Sequence, residues 1–466
     1  MNIRLTLAVL ASISAGLLTG HLSAQEWSRF RGPNGSGVST EADFPAILSR
    51  DGNAAWRTPV RPGKSSPVLS RRHVFTVAFD DGQFYTQCFD RASGRRLWER
   101  AEPRPRRAPA HRFNDAAAAT PVTDGENVYV FFKDLGLISY DAAGERRWAV
   151  PLGPFHNNMG LAASPILADG LLILQIDQTS GSYLAAFDPA TGKQAWKVAR
   201  AEGDSWTTPV HFTPAEGPRA ILTAGSGQFG AHAAKDGVRL WSQPGLSPAL
   251  VASPVVVGDI AFVFGYGYEG PAPFGDALAK YDRNGDGMLQ AEEFGEDAWL
   301  LQLSREEGDL KSPVTLEEWI EAYRKITAPS SLLAIRLGKD EGAQSRILWR
   351  LERNFIGVVP SPLVLDGVVY IVRNGGILTS YDAETGSILK TGRLESALGA
   401  YSASPVSAEG RIYLASEDGQ VTIVQAGREW TVLGSSDLGE PVFATPALLA
   451  GRVYVRTASA LYAFGK

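Results

Sequence analysis

One short phrase recurs eight times along the chain and restricts its fold more than any other feature. A small hydroxyl residue, a proline and usually an aliphatic stand at Ser66-Pro67-Val68, Thr120-Pro121-Val122, Ser164-Pro165-Ile166, Thr208-Pro209-Val210, Ser253-Pro254-Val255, Ser361-Pro362-Leu363, Ser404-Pro405-Val406 and Thr445-Pro446-Ala447. The prolines are spaced 54, 44, 44, 45, 108, 43 and 41 residues apart. A fixed period near 43 marks one supersecondary unit copied around a ring or along a rod. The 108-residue interval exceeds its neighbours by about 64 residues, so one unit carries an insertion.

The third unit shows what is copied. Ser164-Pro165-Ile166-Leu167 is a short apolar run closed by the turn pair Asp169-Gly170. Residues 171–176, 183–187 and 193–198 are three further runs, separated by turns at 179–182 and 188–192. Four short strands and three tight turns per unit predict one antiparallel propeller blade. The units lack a 3.6-residue apolar period, which excludes a helical solenoid. A glycine precedes a tryptophan by four residues at Gly94/Trp98, Gly144/Trp148, Gly192/Trp196 and Gly237/Trp241, and Lys390 takes the tryptophan position in unit six. The glycine serves the turn. The indole is large enough to cover the join between neighbouring blades.

Eight units predict an all-β, eight-bladed β-propeller. The last unit ends at Lys466 after three strands, and Ala54-Ala55-Trp56-Arg57 precedes the first unit with no blade of its own. Pairing this segment with the C-terminal strands would close the ring and remove an exposed edge.

The chain resembles the quinoprotein-like (PQQ-repeat) β-propellers. The resemblance rests on Ala186-Phe187-Asp188, Thr191-Gly192 and Trp196, on the Ser-Pro-Val starts, and on the opening Trp27-Ser28-Arg29-Phe30-Arg31-Gly32-Pro33. It implies the propeller fold and covers nearly all of the chain outside the insertion. Its members include pyrroloquinoline-quinone (PQQ) dehydrogenases, non-catalytic scaffolds of outer-membrane barrel assembly, and many exported proteins of unknown role.

The insertion occupies residues 269–328, between propeller parts 25–268 and 329–466. Within it runs Asp282-Arg283-Asn284-Gly285-Asp286-Gly287-Met288-Leu289-Gln290-Ala291-Glu292-Glu293, which fits the EF-hand calcium-loop pattern at every defining position. Asp282, Asn284 and Asp286 would supply side-chain oxygens, Met288 its carbonyl, Gln290 a direct or water-bridged contact, and Glu293 a bidentate carboxylate. Phe274, Leu278 and Tyr281 before the loop, and Phe294, Ala298 and Leu301 after it, fall at helical spacing. The competing reading is a simple Asn-Gly/Asp-Gly hairpin turn. A degenerate second half spans 307–318, with Val314 at its apolar position and Trp319, Tyr323 and Ile326 on the following helix face. Lys311 among its ligand positions opposes a cation.

Strands alternate direction, so the residues before each Ser/Thr-Pro should ring one mouth of the central channel. Those residues include His111, Arg112, Asn114 and Asp115; His156, Asn157 and Asn158; Trp206; Arg353 and Asn354; and Tyr401. His111, Asn114, His156, Asn157, Trp206, Arg353 and Tyr401 are the candidate contacts for a small molecule, glycan or protein. Simple surface loops are the alternative.

Net charge of −5 argues against nucleic acid as partner. Residues 1–24 read as an export leader: Arg4, an apolar stretch at 5–18 too short to span a bilayer, then Leu22-Ser23-Ala24. The mature chain would be exported to the periplasm or the medium. Cys88 is the only cysteine, which excludes an intrachain disulfide and leaves none near the leader to carry lipid. Three functions compete: an exported non-catalytic binding propeller with a calcium loop, a PQQ-dependent dehydrogenase, and an envelope-assembly scaffold. The chain lacks the adjacent Cys-Cys pair and the Cys-x-x-Cys-His haem motif that the enzyme reading leads one to expect. Calcium is the expected cofactor, with PQQ the less favoured one.

Overall fold

The computed structural model describes residues 26–107, 114–267, 274–293, 313–320, 330–338, 345–352 and 359–466. The leader reading of residues 1–24 lies outside them. Eight sheets, each of four antiparallel strands and one of them with a fifth strand added in parallel, form the eight-bladed propeller. The third blade is typical, with strands Ile166–Ala168, Leu171–Ile176, Tyr183–Phe187 and Gln194–Ala199 from the axis outward. Residues of its two middle strands are nearly all buried, whereas the outermost alternates exposed and half-buried positions. This is the alternation expected of a strand with one wet face. Its first turn carries Asp169 at φ 51° and Gly170 at φ 77°, as a two-residue type I′ hairpin requires.

The eight Ser/Thr-Pro phrases meet at the axis in a single circle of hydrogen bonds. The Ser66 amide donates to Thr120 Oγ1, Thr120 to Ser164 Oγ, Ser164 to Thr208 Oγ1, and Thr208 to Ser253 Oγ. Ser253 then donates to Ser361 Oγ, Ser361 to Ser404 Oγ, Ser404 to Thr445 Oγ1, and Thr445 back to Ser66 Oγ, all at 2.9–3.0 Å. All eight residues are buried. The hydroxyl is therefore the side chain that satisfies the neighbouring blade's innermost amide, which has no strand to pair with. Ser164→Ala is expected to orphan the Thr120 amide and to cost about 1–3 kcal/mol. Urea unfolding of the single variant measures this, and Ser164→Thr should restore most of it.

Further from the axis, five tryptophans reach into the next blade. The indole N–H groups of Trp56, Trp98, Trp148, Trp196 and Trp349 donate to the carbonyls of Arg91, Ala142, Pro189, Ala234 and Ala383 at 2.9–3.2 Å. The indoles lie on Gly94, Gly144, Gly192, Gly237 and Gly386, where an added Cβ would fall 2.5–2.8 Å from a ring atom. The turn glycines thus serve a second purpose, close approach of the neighbouring ring. Where Lys390 replaces tryptophan, its Nζ donates to the Trp430 carbonyl at 2.7 Å and stands over the Trp430 ring.

Strand Ala54–Pro59 pairs antiparallel with Ala460–Phe464 and completes the eighth blade. Arg456, 1% exposed, ties the same seam by donating to the carbonyls of Ser65, Val77 and Arg61. The core lies largely between blades: Phe84 of the first stacks on Phe132 of the second at 4.4 Å. Cys88 is buried in strand Gln83–Asp90, and burial pushes its thiol well above the ordinary range, which makes it an inert small hydrophobe.

The opening segment performs a task that its sequence does not reveal. The Leu69 and Thr123 amides donate to the carbonyls of Trp27 and Ser28, Arg29 Nη2 donates to the Pro209 carbonyl, and Asn34 pairs with the His211 backbone through both side-chain groups. Arg31 Nη2 donates to the Pro362 carbonyl, and Val38–Ser39 runs parallel to Val406–Ala408. These partners belong to the innermost strands of blades one, two, four, six and seven, or to the phrases that lead into them. The segment therefore crosses the central channel and blocks it near the turns that join the first and second strands of the blades.

Candidate functional site

The opposite end of the channel bears the loops that enter the innermost strands and the corners between second and third strands. On it, Asn114 Nδ2 donates to the carbonyls of Met159 and Gly160 at 3.1 and 2.8 Å. Asn157 is 2% exposed; its Nδ2 donates to the Asp177 carbonyl and its Oδ1 accepts the Trp206 indole N–H at 3.1 Å. Trp206 also donates to the Gly160 carbonyl. Asn114, Asn157 and Trp206, expected to surround a ligand, are thus brought together and bind one another's loops. His156 is exposed, and its amide and carbonyl are tied to Gln178 Oε1 and the Thr179 amide. Tyr401 is 1% exposed among Leu363, Tyr370 and Leu394, and its hydroxyl donates to the Ala397 carbonyl. That placement makes it part of the packing between blades six and seven. His111 and Arg353 lie outside the described residues.

Beneath this rim is a charged network that the sequence did not suggest. Arg200 and Asp177, each 1% exposed or less at the side chain, pair at 2.7 Å. Asp177 also accepts from Ser205 Oγ at 2.6 Å and Gln175 Nε2 at 2.8 Å, and Arg200 Nη1 donates to Thr223 Oγ1. Burial alone would lower the guanidinium pKa; the charge and hydrogen bonds of Asp177, then Glu202 at 3.7 Å, outweigh it and hold it raised. Asp204 accepts from the Asn158 amide and Thr179 Oγ1, and burial pushes its carboxyl up to about 6. Asp177 and Arg200 stand immediately after their strands, at the mouth ends. Position in the blade was the only sequence signal that could have found them.

The insertion leaves the fifth blade after Ile260–Gly265 and returns at Ser331–Arg336, a corner on the same mouth face. Helix Phe274–Tyr281 leads into the loop. Asp282 accepts the amides of Gly285 and Gly287 at 2.7 and 2.9 Å, Asn284 Oδ1 that of Asp286, and Asp286 Oδ1 that of Met288. Glu293 reaches back, accepting the Arg283 amide at 2.9 Å and the Gln290 amide at 2.8 Å. Gly285 and Gly287 both take φ 77°, which lets the chain coil this tightly. The Gln290 side-chain Nε2, donating to Asp286 Oδ2 at 2.8 Å, then the Met288 backbone N–H, hold the Asp286 carboxyl below its usual range. Leu289 and Val314 form an antiparallel bridge and bury with Ala277, Tyr281 and Trp319 in a core of their own. Phe294, Ala298, Leu301, Lys311, Tyr323 and Ile326 fall outside the described residues. Among the described residues, no group of three or more His, Cys, Asp or Glu side chains converges as metal ligands do. Among them too, no helix is long and apolar enough to cross a membrane.

A family profile described as "Outer membrane protein assembly factor BamB" matches residues 36–183, 180–286 and 339–464. A protein of that name from Yersinia pestis is 26% identical over 290 residues, 58% of this chain and 66% of the relative, just under two thirds of its length. The crystal structure of BamB from Moraxella catarrhalis superposes with a TM-score of 0.55 at 13% identity, covering 88% of this chain and 98% of that one. A europium-containing methanol dehydrogenase superposes with a TM-score of 0.60 at 10% identity, covering 95% and 99%. At those identities both structures speak for the propeller fold alone.

Proposed function

Since the chain belongs to the PQQ-repeat family described as outer membrane protein assembly factor BamB, we propose that it is an exported, non-catalytic propeller that binds a protein across its mouth face. One observation carries this reading. The rim side chains are spent on stitching neighbouring loops together, which yields a stiff polar platform, and the far end of the channel is blocked by the chain's own opening segment. The family description supports a protein as the bound class, ahead of a glycan or small molecule. Export rests on the leader-like residues 1–24. Photoreactive residues placed at Asn158 on the rim and at Ala190 on the opposite face test the assignment in the source cells. Cross-links from the rim alone are expected; equal yields from both faces contradict the reading. Saturable PQQ binding with dye reduction by the purified chain would instead favour the quinone-dependent dehydrogenase.

The insertion, taken as residues 269–328, is proposed to hold calcium through Asp282, Asn284, Asp286, the Met288 carbonyl, Gln290 and Glu293. The loop hydrogen bonds, the Leu289–Val314 bridge that joins it to the second half, and the separate aromatic core support this. These are hard oxygens in the number calcium takes, and exported sites of this kind hold it with dissociation constants of about 10⁻⁴–10⁻³ M. At a hundredfold excess, calcium adds about 2.7 kcal/mol to the stability of the part that binds it. Calorimetry on the mature chain should show one calcium, lost in Asp282→Ala. No heat with the unsubstituted chain, or unchanged heat after the substitution, would remove the metal from the account.

A further inference from the structure

At the blocked end of the channel, Arg29 and Asn34 of the opening segment, with Leu167, His211, Phe212 and Val256 of the blades, border a depression of about 500 Å³. Two side chains there stand out. Arg29 is 6% exposed, donates through Nη2 to the Pro209 carbonyl at 2.6 Å, and leaves its buried Nε with no partner among the described residues. His211 likewise leaves Nε2 buried and unpartnered, while its backbone is fixed by Asn34.

The charge is also uncompensated. No carboxylate pairs with Arg29 among the described residues, and burial pushes its guanidinium down to about 9. Asp169, which acts on the His211 ring, is already paired with Arg219 at 2.5 Å. A buried cation without an anion is costly, and an oxyanion seated in the depression would offset that cost. Arginine suits planar or tetrahedral oxyanions, since its N–H groups donate in a fixed fork.

We propose that this depression is a binding site for a small oxyanion, a carboxylate or phosphate group, held by Arg29 with His211 Nε2 as the second contact. The carbonyl-bound Nη2 fixes the guanidinium plane, and Asn34 fixes the histidine by gripping its backbone. The site is formed by the opening segment together with blades three, four and five, so it exists only once that segment crosses the channel. It is independent of the mouth-face reading and lies at the other end of the channel.

Calorimetric titration of the mature chain with inorganic phosphate, and separately with acetate, in a chloride background tests it. Saturable binding of either is expected; phosphate alone assigns a phosphoryl group and acetate alone a carboxylate. Arg29→Met and His211→Phe should each weaken binding about tenfold or more, the loss of one charge-assisted or buried hydrogen bond. Circular dichroism checks that each variant is folded. Should Arg29→Met fail to fold, His211→Phe decides, since its backbone bonds to Asn34 need no imidazole. Absence of saturable binding by both anions, or unchanged affinity in folded His211→Phe, overturns the proposal.

Discussion

Replacing Trp56 with alanine is expected to remove about 3–5 kcal/mol of stability, and deleting residues 54–59 to abolish cooperative unfolding of the entire ring. Trp56 is 8% exposed, lies on Gly94 of the first blade, and meets Tyr454 of the eighth with ring centroids 5.9 Å apart. Its strand pairs from Ala54 opposite Phe464 to Pro59 opposite Ala460. The deletion would expose the edge of an apolar strand, with Leu461, Tyr462 and Phe464, to other chains. Urea unfolding followed by circular dichroism and tryptophan emission reads both effects. A deletion variant with the original midpoint would show that the strand is an ornament on a ring closed by other means.

Asp177→Ala is expected to cost about 3–5 kcal/mol, because it leaves the Arg200 guanidinium buried without its main counter-charge. Arg200 is 0% exposed at the side chain, and Glu202, at 3.7 Å, is a poor substitute for a partner at 2.7 Å. Asp177→Asn should recover little of the loss, since an amide supplies hydrogen-bond groups but no charge. The double replacement Asp177→Leu with Arg200→Met should be far less harmful than Asp177→Ala, as a buried pair exchanged whole for apolar groups often is. Equilibrium unfolding of the three variants separates the terms. A loss under about 1 kcal/mol in Asp177→Ala would mean that the pair is solvated in solution.

Much of this architecture is legible in the sequence, and the limit is a physical one. The repeat of Ser/Thr-Pro gives eight units, and the missing strand of the last unit points to Ala54–Pro59. The role of the hydroxyl does not follow from the phrase alone, since it accepts a hydrogen bond from a residue 41–108 positions away, or 379 at the seam. Trp349 escapes the glycine-to-tryptophan count because Ser345, not glycine, stands four residues before it. The glycines that Trp56 and Trp349 cover, Gly94 and Gly386, belong to the next blade, as do those under Trp98, Trp148 and Trp196, and spacing within one unit does not reveal that contact. The opening Trp27-Ser28-Arg29-Phe30-Arg31-Gly32-Pro33 is conspicuous as a string, yet its path across the channel is made of contacts with five blades. At the mouth, the rule that residues before each Ser/Thr-Pro share one face places Asn114, Asn157 and Trp206 together. It does not reveal that they bind one another, nor that Tyr401 turns inward. The pattern of residues 282–293 is local, so the expectation of a calcium loop is read directly from the string.

The closed circle of hydroxyl acceptors is the claim on which the rest depends, and amide hydrogen exchange at its seam tests it most directly. The Thr445 amide, bonded to Ser66 Oγ at 3.0 Å, joins the last blade to the first. The account predicts that it exchanges as slowly as the Ser164 and Thr208 amides within the ring, through opening of the whole structure. Exchange of Thr445 at the rate of an exposed loop, with Ser164 still protected, would mean that the ring is open at that seam and would contradict the account.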